Sequence, residues 1–316
     1  MVINMMFKKL LLILLLLLQI GSVTSCNGSN EKIQYITFKD DLNRTVTLNS
    51  KPKRVVTLLG SFYDVWICSG GTAIATASDT WDEYEYDLSE VSNIGGVHSP
   101  NLELILKSNP DFIIASASTS KHILLKNTFE QIGIPIAYFE VNHFNDYLNM
   151  LKICTSITDR QDLYEINGTK IKDNIDEIIN NYQKFEYSKE TKKVLLLRAS
   201  STSVKCKGSS GTILGEMLSE FECLNIADGN IKVLENLSVE EISKEDPYYI
   251  FIVTMGSNED FAIKKVNDLL NSNVVWKNLN AVKNNRVYIM DKELFNTKPN
   301  ARWEEAYLEL YEILTK

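Results

Sequence analysis

The chain has 316 residues, 44% of them hydrophobic and 23% charged, with 41 acidic against 33 basic residues and a formal net charge of -8. The acidic surplus argues against a nucleic-acid partner, because phosphate binding wants a basic face. The length suggests two domains.

In chain order, Lys8 and Lys9 precede an apolar run from Leu10 to Ile20 that Gln19 alone interrupts. A bilayer span needs about 20 apolar residues, so the run has the length of a signal-peptide core instead. Val23-Thr-Ser-Cys26 follows, small residues before a cysteine in the manner of a bacterial lipobox, and Cys26 is the expected lipid anchor. Two acyl chains would hold the protein stably on a membrane, each buried methylene contributing ~0.8 kcal/mol. Removing residues 1–25 takes away Lys8 and Lys9 and no acid, which leaves 31 basic and 41 acidic residues, a net charge of -10. Asn27 to Lys32 reads as a tether. Beyond Cys26 stand Cys68, Cys154, Cys206 and Cys223. They lack zinc spacing and read as buried thiols, with Cys206–Cys223 the pair best placed for a disulfide should one form.

Gln34 to Phe38 and Thr45 to Leu48 form an opening hairpin around Asp40-Asp41. Alternation then begins: strand Arg54–Leu59, helix Phe62–Cys68, strand Ala73–Ala77, short helix Leu102–Lys107, strand Asp111–Ala115, helix His122–Gln131, strand Pro135–Val141, helix Phe144–Ile157. Such alternation implies a mainly parallel sheet covered by helices. A helical stretch from Gln161 to Phe185 comes next, with Ile171, Ile175, Ile178, Ile179 and Tyr182 at helical spacing. It contains no proline, so it should join the two halves as a strut that resists bending; Gly168 weakens it locally. The second half repeats the pattern: strand Lys193–Arg198, extended Ser203–Lys207, helix Thr212–Phe221, short helix Val239–Lys244, strand Tyr249–Thr254, helix Phe261–Leu270, strand Arg286–Met290, helix Arg302–Leu314.

The halves echo each other. Asn101-Leu-Glu-Leu-Ile-Leu-Lys-Ser-Asn-Pro-Asp-Phe-Ile-Ile114 aligns without gaps to Ser238-Val-Glu-Glu-Ile-Ser-Lys-Glu-Asp-Pro-Tyr-Tyr-Ile-Phe251. Each copy is a capped helix, a proline that stops it and a hydrophobic strand. Glu103 and Glu240 occupy matching places in the first helical turn, where an acid also complements the helix dipole.

Candidate binding residues gather near the carboxyl ends of the strands, where α/β sheets take ligands. In the first half they are Ser61, Phe62, Tyr63, Trp81, His98 and His122, with Tyr84 and Tyr86 nearby. In the second they are Arg198, Thr254, Met255, Asn296 and Lys298. Aromatic surfaces with a few polar groups suit a large, partly apolar ligand, and Arg198 or Lys298 could meet an anionic one. His98, His122 and His143 are candidates for direct metal contact. Gly208-Ser-Ser-Gly211 precedes a helix and reads as a turn that could also receive an anion. No Gly-x-Ser-x-Gly, His-Glu-x-x-His, Walker loop or Gly-x-Gly-x-x-Gly occurs, which speaks against an enzyme, and no intrinsic cofactor is expected.

Asp41-Leu-Asn-Arg-Thr-Val-Thr-Leu, Pro52-Lys-Arg-Val-Val, Asn101-Leu-Glu with Pro110-Asp-Phe-Ile-Ile, Leu224-Asn-Ile-Ala-Asp and Asn280-Ala-Val-Lys-Asn-Asn-Arg-Val-Tyr occur in this order. In that order the chain resembles the cluster A (class III) substrate-binding lipoproteins of ABC importers, receptors for ferric siderophores, haem or cobalamin. The resemblance implies two Rossmann-like α/β lobes joined by a single long α-helix, with the ligand cleft between them. The corresponding boundaries are 1–25 for the lipoprotein signal peptide, 26–32 for the tether, 33–159 for the amino-terminal lobe, 160–187 for the connecting helix and 188–316 for the carboxy-terminal lobe. It also implies an exported protein anchored to the bilayer through Cys26, a metal-chelate ligand, and a permease with ATPase subunits as partners. Glu103 and Glu240 would then dock the permease, with Glu241 as the neighbour that could replace Glu240. Alternatives are a receptor that binds a divalent metal directly and an exported metal-dependent enzyme on the same scaffold.

Overall fold

The computed structural model describes residues 35–256 and 258–316. The signal peptide, the tether and Cys26 lie outside the described residues. The opening hairpin pairs β1 (Ile36–Lys39) with β2 (Thr45–Leu48). Its turn clasps the first sheet through Asp40, which holds Arg44 at 2.6 Å and accepts from the Tyr138 amide at 3.2 Å.

The first sheet contains β3 (Val55–Thr57), β4 (Ala73–Thr76), β5 (Ser92–Asn93), β8 (Phe112–Ser116) and β9 (Ile136–Phe139) in the order β5-β4-β3-β8-β9. All its pairings are parallel. Buried on both faces, β8 and β9 read as continuous apolar runs, as strands of covered parallel sheets do. Short β6 (Gly95–Gly96) and β7 (Ser99–Pro100) form a separate ladder. Helices α1 (Gly60–Cys68), α2 (Asp79–Glu83), α3 (Leu102–Lys107), α4 (Ser120–Leu124), α5 (Lys126–Ile132) and α6 (Phe144–Thr158) complete this lobe. The expected single helix from His122 to Gln131 is thus two, and α2 arises in a stretch to which the sequence reading assigned no element.

The connecting helix starts as expected at Gln161 and ends earlier, at Tyr182. It has three parts: α7 (Gln161–Tyr164), a π-helical turn over Glu165–Thr169, and α8 (Lys170–Tyr182). The wide turn corrects the picture of a uniform strut. It is held from outside. The carbonyl of Asn167 accepts from the Tyr147 hydroxyl at 2.8 Å, and the Asn167 amide donates to the Cys68 carbonyl at 2.8 Å. Gly168 lies so close to α6 that an added Cβ would stand 3.2 Å from both Leu148 and Leu151. First-lobe contacts therefore grip the turn, while beyond it Asn174 donates to Glu304 at 2.7 Å.

The second sheet holds β10 (Lys193–Ala199), β11 (Val204–Lys207), β12 (Leu224–Asn225), β13 (Tyr249–Thr254) and β14 (Val287–Met290), ordered β11-β10-β13-β14 with β12 beside β10. Only β11 runs antiparallel to its neighbour among these pairings. Its helices are α9 (Ile213–Glu220), α10 (Ile231–Asn236), α11 (Val239–Glu245), α12 (Glu259–Asn271), α13 (Val274–Asn278), α14 (Asn280–Lys283), α15 (Lys292–Phe295) and α16 (Trp303–Leu314), the last entered through a 3-10 turn over Asn300–Arg302.

The internal echo is structural. Asn101 caps α3 and Ser238 caps α11 through their side chains. The aligned Asn109 and Asp246 both adopt left-handed backbone, φ 50° and 45°. The strands that follow, β8 and β13, each lie between two parallel neighbours in their sheets.

Each sheet has its own outer core, and one large cluster lies between the sheets. Along β8, Phe112 and Ile114 face this shared core while Ile113 and Ala115 face outward. Along β10, Val194 and Leu196 face it while Leu195 and Leu197 face away. Helices α6, α8 and α16 fill the layer, with Trp303 against Phe144 at 5.8 Å between ring centres. Residues 35–316 accordingly form one compact unit. The same partition settles the cysteines: Cys206 belongs to the outer core and Cys223 to the shared one, and all four described thiols are free. Burial pushes the thiols of Cys68, Cys206 and Cys223 up to about 12.

Candidate functional site: the seam between the lobes

The segment after β14 carries the second lobe onto the carboxyl end of the first sheet. Lys298 places its ammonium 5.8 Å from the centre of the Phe62 ring. Phe62 is itself packed edge-on to Phe139, at the end of β9. Asn300, completely buried and in left-handed backbone at φ 52°, donates to the Ser61 carbonyl at 2.8 Å and to Asp64 at 2.6 Å. Lys292 reaches Glu83 at 3.6 Å.

The first lobe meets these groups with carboxylates. Asp79 and Glu83 stand at either end of α2, four residues apart and so on one helical face, while Trp81 and Asp82 turn outward. Asp79 accepts from the Gly60 amide at 2.8 Å, a close approach in which a Cβ at Gly60 would stand 3.0 Å from both the carboxylate and the Thr80 amide. Asp64 accepts from the Tyr86 hydroxyl as well as from Asn300. Burial pushes all three carboxyls up; hydrogen bonds oppose it at Asp64 and Asp79, and Lys292 opposes it at Glu83. Burial lowers the Lys298 ammonium, and Glu83, Asp79 and Glu140 raise it. Asp79 Oδ1, the Tyr84 hydroxyl and Asn300 Oδ1 are buried without a hydrogen-bond partner. A cavity of about 530 Å³ opens beside them, lined from both lobes by Asp64, Tyr84, Tyr86, Lys298 and Arg302 among others.

The sequence candidates divide here. Trp81 and Met255 are exposed, at 40% and 44%. His98 is exposed, and Asn296, Lys298 and Arg198 are partly so. Ser61, Phe62, Tyr63, His122 and Thr254 are buried. Phe62 and Tyr63 are core residues, and Thr254 donates to Glu259 at 3.0 Å. His122 is withdrawn as a ligand or metal contact. Its Nδ1 accepts from the Ser116 amide at 3.1 Å, and its Nε2 sits 2.9 Å from the Val97 carbonyl, so both ring nitrogens are committed. Burial holds that imidazole down at about 4, neutral. His143 instead caps α6 with Asp146. Among the described residues no group of three or more His, Cys, Asp or Glu side chains is placed to hold a metal ion.

Arg198 lies near the end of β10 beside Lys207 and the Gly208–Thr212 turn, around a cavity of about 420 Å³. Its Nε is buried without a partner. Glu103 and Glu240 are exposed in the first turns of α3 and α11. Neither joins an ion pair among the described residues, whereas Glu241 is engaged by Lys232 at 3.3 Å. Sequence reasoning missed Asp64, Asp79, Glu83, Lys207, Lys292 and Asn300. The four-residue spacing of Asp79 and Glu83 was the available signal.

Residues 55–294 match the family model described as periplasmic binding protein. The Fe(3+)-citrate-binding protein YfmC of Bacillus subtilis is 28% identical over 272 residues, 84% of this chain and 82% of that protein. The petrobactin-binding protein YclQ of the same organism is 27% identical over 284 residues, covering 85% and 84%. The crystal structure of Staphylococcus aureus SirA complexed with staphyloferrin B superposes with a TM-score of 0.68 at 22% identity, over 89% of this chain and 98% of that one.

Proposed function

The chain belongs to the periplasmic binding protein family, and on that premise we propose that it is the substrate-binding component of an ABC importer, capturing a metal chelate between its lobes and surrendering it unchanged to a permease. The observation that carries the reading is the seam. Residues from the carboxyl ends of two separate, mainly parallel sheets converge there around partly open cavities, the place where α/β sheets take ligands. A chelate brings its own donor atoms to the metal, so the protein has to recognise only the organic shell. The absence of a metal-holding cluster among the described residues is compatible with that and favours it over direct capture of a bare ion. The ligands named for two relatives, ferric citrate and petrobactin, are of this kind.

The free, exposed Glu103 and Glu240 suit docking to basic residues of a permease, and the paired Glu241 suits it less. Cys26 would carry the lipid that keeps the protein at the outer face of its membrane, where no permanent span is needed. Among the described residues no helix is long and apolar enough to cross a membrane.

Native mass spectrometry of the protein purified from its own host tests the reading. An adduct whose isotope pattern contains a metal and whose organic part is chemically intact is the expected result. Recovery of a converted product, or of protein that neither carries nor takes up any metal chelate, would overturn it.

A further inference from the structure

The register of β10 and β11 sets Arg198 opposite Lys205 and Leu196 opposite Lys207. Residues directly opposite, or two apart on a strand, share a face of the sheet. Arg198, Lys205 and Lys207 therefore point to the same side, near the carboxyl end of β10. Like charges placed opposite each other destabilise a sheet, yet none of the three side chains makes a hydrogen bond or an ion pair among the described residues. Arg198 has its Nε sealed from solvent without a partner. Burial lowers its proton affinity with no carboxylate working against it, and Lys207 is lowered by burial, then by Arg198, then by Lys205. Lys205 is exposed and Arg198 and Lys207 are half-buried; drawing cations partly out of water with no counter-charge beside them costs stability, so this arrangement is not there for it.

We propose that Arg198, Lys205 and Lys207 form the anion-recognition half of the cleft and take carboxylate arms of the ligand. This rests on the chelate-binding reading and narrows it to chelates of the polycarboxylate class. The cavity beside the cations has room for such a group, about 420 Å³, with the Gly208–Thr212 turn as its wall. The turn is not itself the receptor. Its Ser209 amide already donates to Asp228 at 2.9 Å and its Gly211 amide to Glu216 at 2.9 Å, and its Thr212 hydroxyl accepts from the Gly215 amide of α9 at 3.2 Å. Asp228 also lines the cavity, and that amide holds its Oδ1, so an incoming carboxylate is directed to the Arg198 side. A guanidinium binds a carboxylate through two parallel N–H bonds, and a flanking ammonium adds a point charge.

The test uses the full chain with three probes: ferric citrate, iron-free citrate, and ferric desferrioxamine, whose donors are hydroxamates and which carries no carboxylate. The variants are Arg198→Met and Arg198→Met/Lys207→Met. The expected result is a loss of ferric citrate affinity of about tenfold in the single and about a hundredfold in the double variant, steeply salt-dependent in the parent. Melting temperatures should be unchanged or higher, since a half-buried cation without a counter-charge has gone. That opposite movement of affinity and stability is what a merely structural role would not produce. The inference falls if ferric citrate affinity stays within about twofold of the parent in the double variant, if both variants lose stability together with affinity, or if ferric desferrioxamine binds and ferric citrate does not. In that last case the chelate reading stands alone. If iron-free citrate binds and depends on Arg198 while neither ferric complex binds, the anion site stands and the chelate reading falls. If none of the three probes binds, both fall.

Discussion

The two lobes present opposite charge to each other and treat it differently. The first lobe turns Asp64, Asp79 and Glu83 toward the seam, and each is answered from the second lobe: Asp64 by Asn300, Glu83 by Lys292, and Asp79 and Glu83 together by Lys298. The second lobe sets Arg198, Lys205 and Lys207 on one face of its sheet, with Arg198 and Lys207 lining a cavity, and among the described residues no hydrogen bond or ion pair answers them. The acids are thus part of the joint that holds the lobes, and the cations are the unspent charge. A difference of this kind separates structural from functional electrostatics in one molecule, because buried charges that serve stability are found with partners.

The largest effect expected from breaking the symmetry between lobes lies on their outer surfaces. Glu103 and Glu240 hold equivalent places in the two echoed helix–strand units. Reversing both, as Glu103→Arg/Glu240→Arg, should abolish uptake in a transport assay while ligand affinity stays within about twofold. A large loss of affinity with normal uptake would place these residues in the ligand site instead. Each single reversal then reports how the docking is shared between lobes.

Lys298→Met breaks the joint. It removes a cation that Glu83, Asp79 and Glu140 favour, though Glu83 keeps Lys292, and urea unfolding should show a loss of about 1 kcal/mol at neutral pH, small because Lys298 makes no ion pair among the described residues and is partly open to solvent. The sign with pH follows from the carboxyls, whose pKa values burial already raises. A raised acid costs stability while ionised and ceases to cost it once protonated. The deficit of the variant should therefore shrink as pH falls through the carboxylate range. A deficit that is constant with pH would show that Lys298 contributes packing and not charge.

A separate pH response is confined to the first lobe, where all three histidines reside. His122 is held neutral, down at about 4, against about 6.5 in an unfolded chain. A base with a lowered folded pKa contributes its full stability above the unfolded value and loses it as pH falls toward the folded one. Between pH 6.5 and 4 this group alone should remove up to ~3 kcal/mol, visible as a fall in the urea midpoint. Hydrogen exchange should report the loss first around Ser116 and Val97, whose backbone groups bond the ring. Equal early exchange of β10 and β13 would contradict the assignment.

How much of this was legible in the chain varies by element. The strands of both sheets, the capped α3 and α11, and the closing helix follow from apolar runs, N-cap residues and prolines, which act within a few residues of themselves. The echo of residues 101–114 in 238–251 extends to the left-handed turns at Asn109 and Asp246, because a capped helix followed by Pro leaves the chain few ways to enter a strand. Helix α2 was missed, because a five-residue helix spans little more than one turn and leaves almost no hydrophobic period to read. The connecting helix was found, but its π turn was not. That turn depends on Tyr147 and Cys68, which are 20 and 99 residues from Asn167. No local signal marks a carbonyl that a distant hydroxyl will hold.

The amino-acid sequence by itself determined the two-lobed α/β plan, the helical connection and the solvent-facing acids of the echo, since each follows from hydrophobic period and local capping. It also carried, on Cys26, the case for a membrane anchor. Tertiary structure alone decided which polar residues serve the fold and which are left for a ligand. His122, Phe62 and Thr254 were candidates by position and proved to be committed to the interior. Arg198 was a candidate by charge, and its unanswered state emerged when β11 brought Lys205 and Lys207 onto its face. The reason is physical: a side chain's availability depends on every group that packs against it, and those groups come from remote parts of the chain, such as Asn300, 236 residues from Asp64.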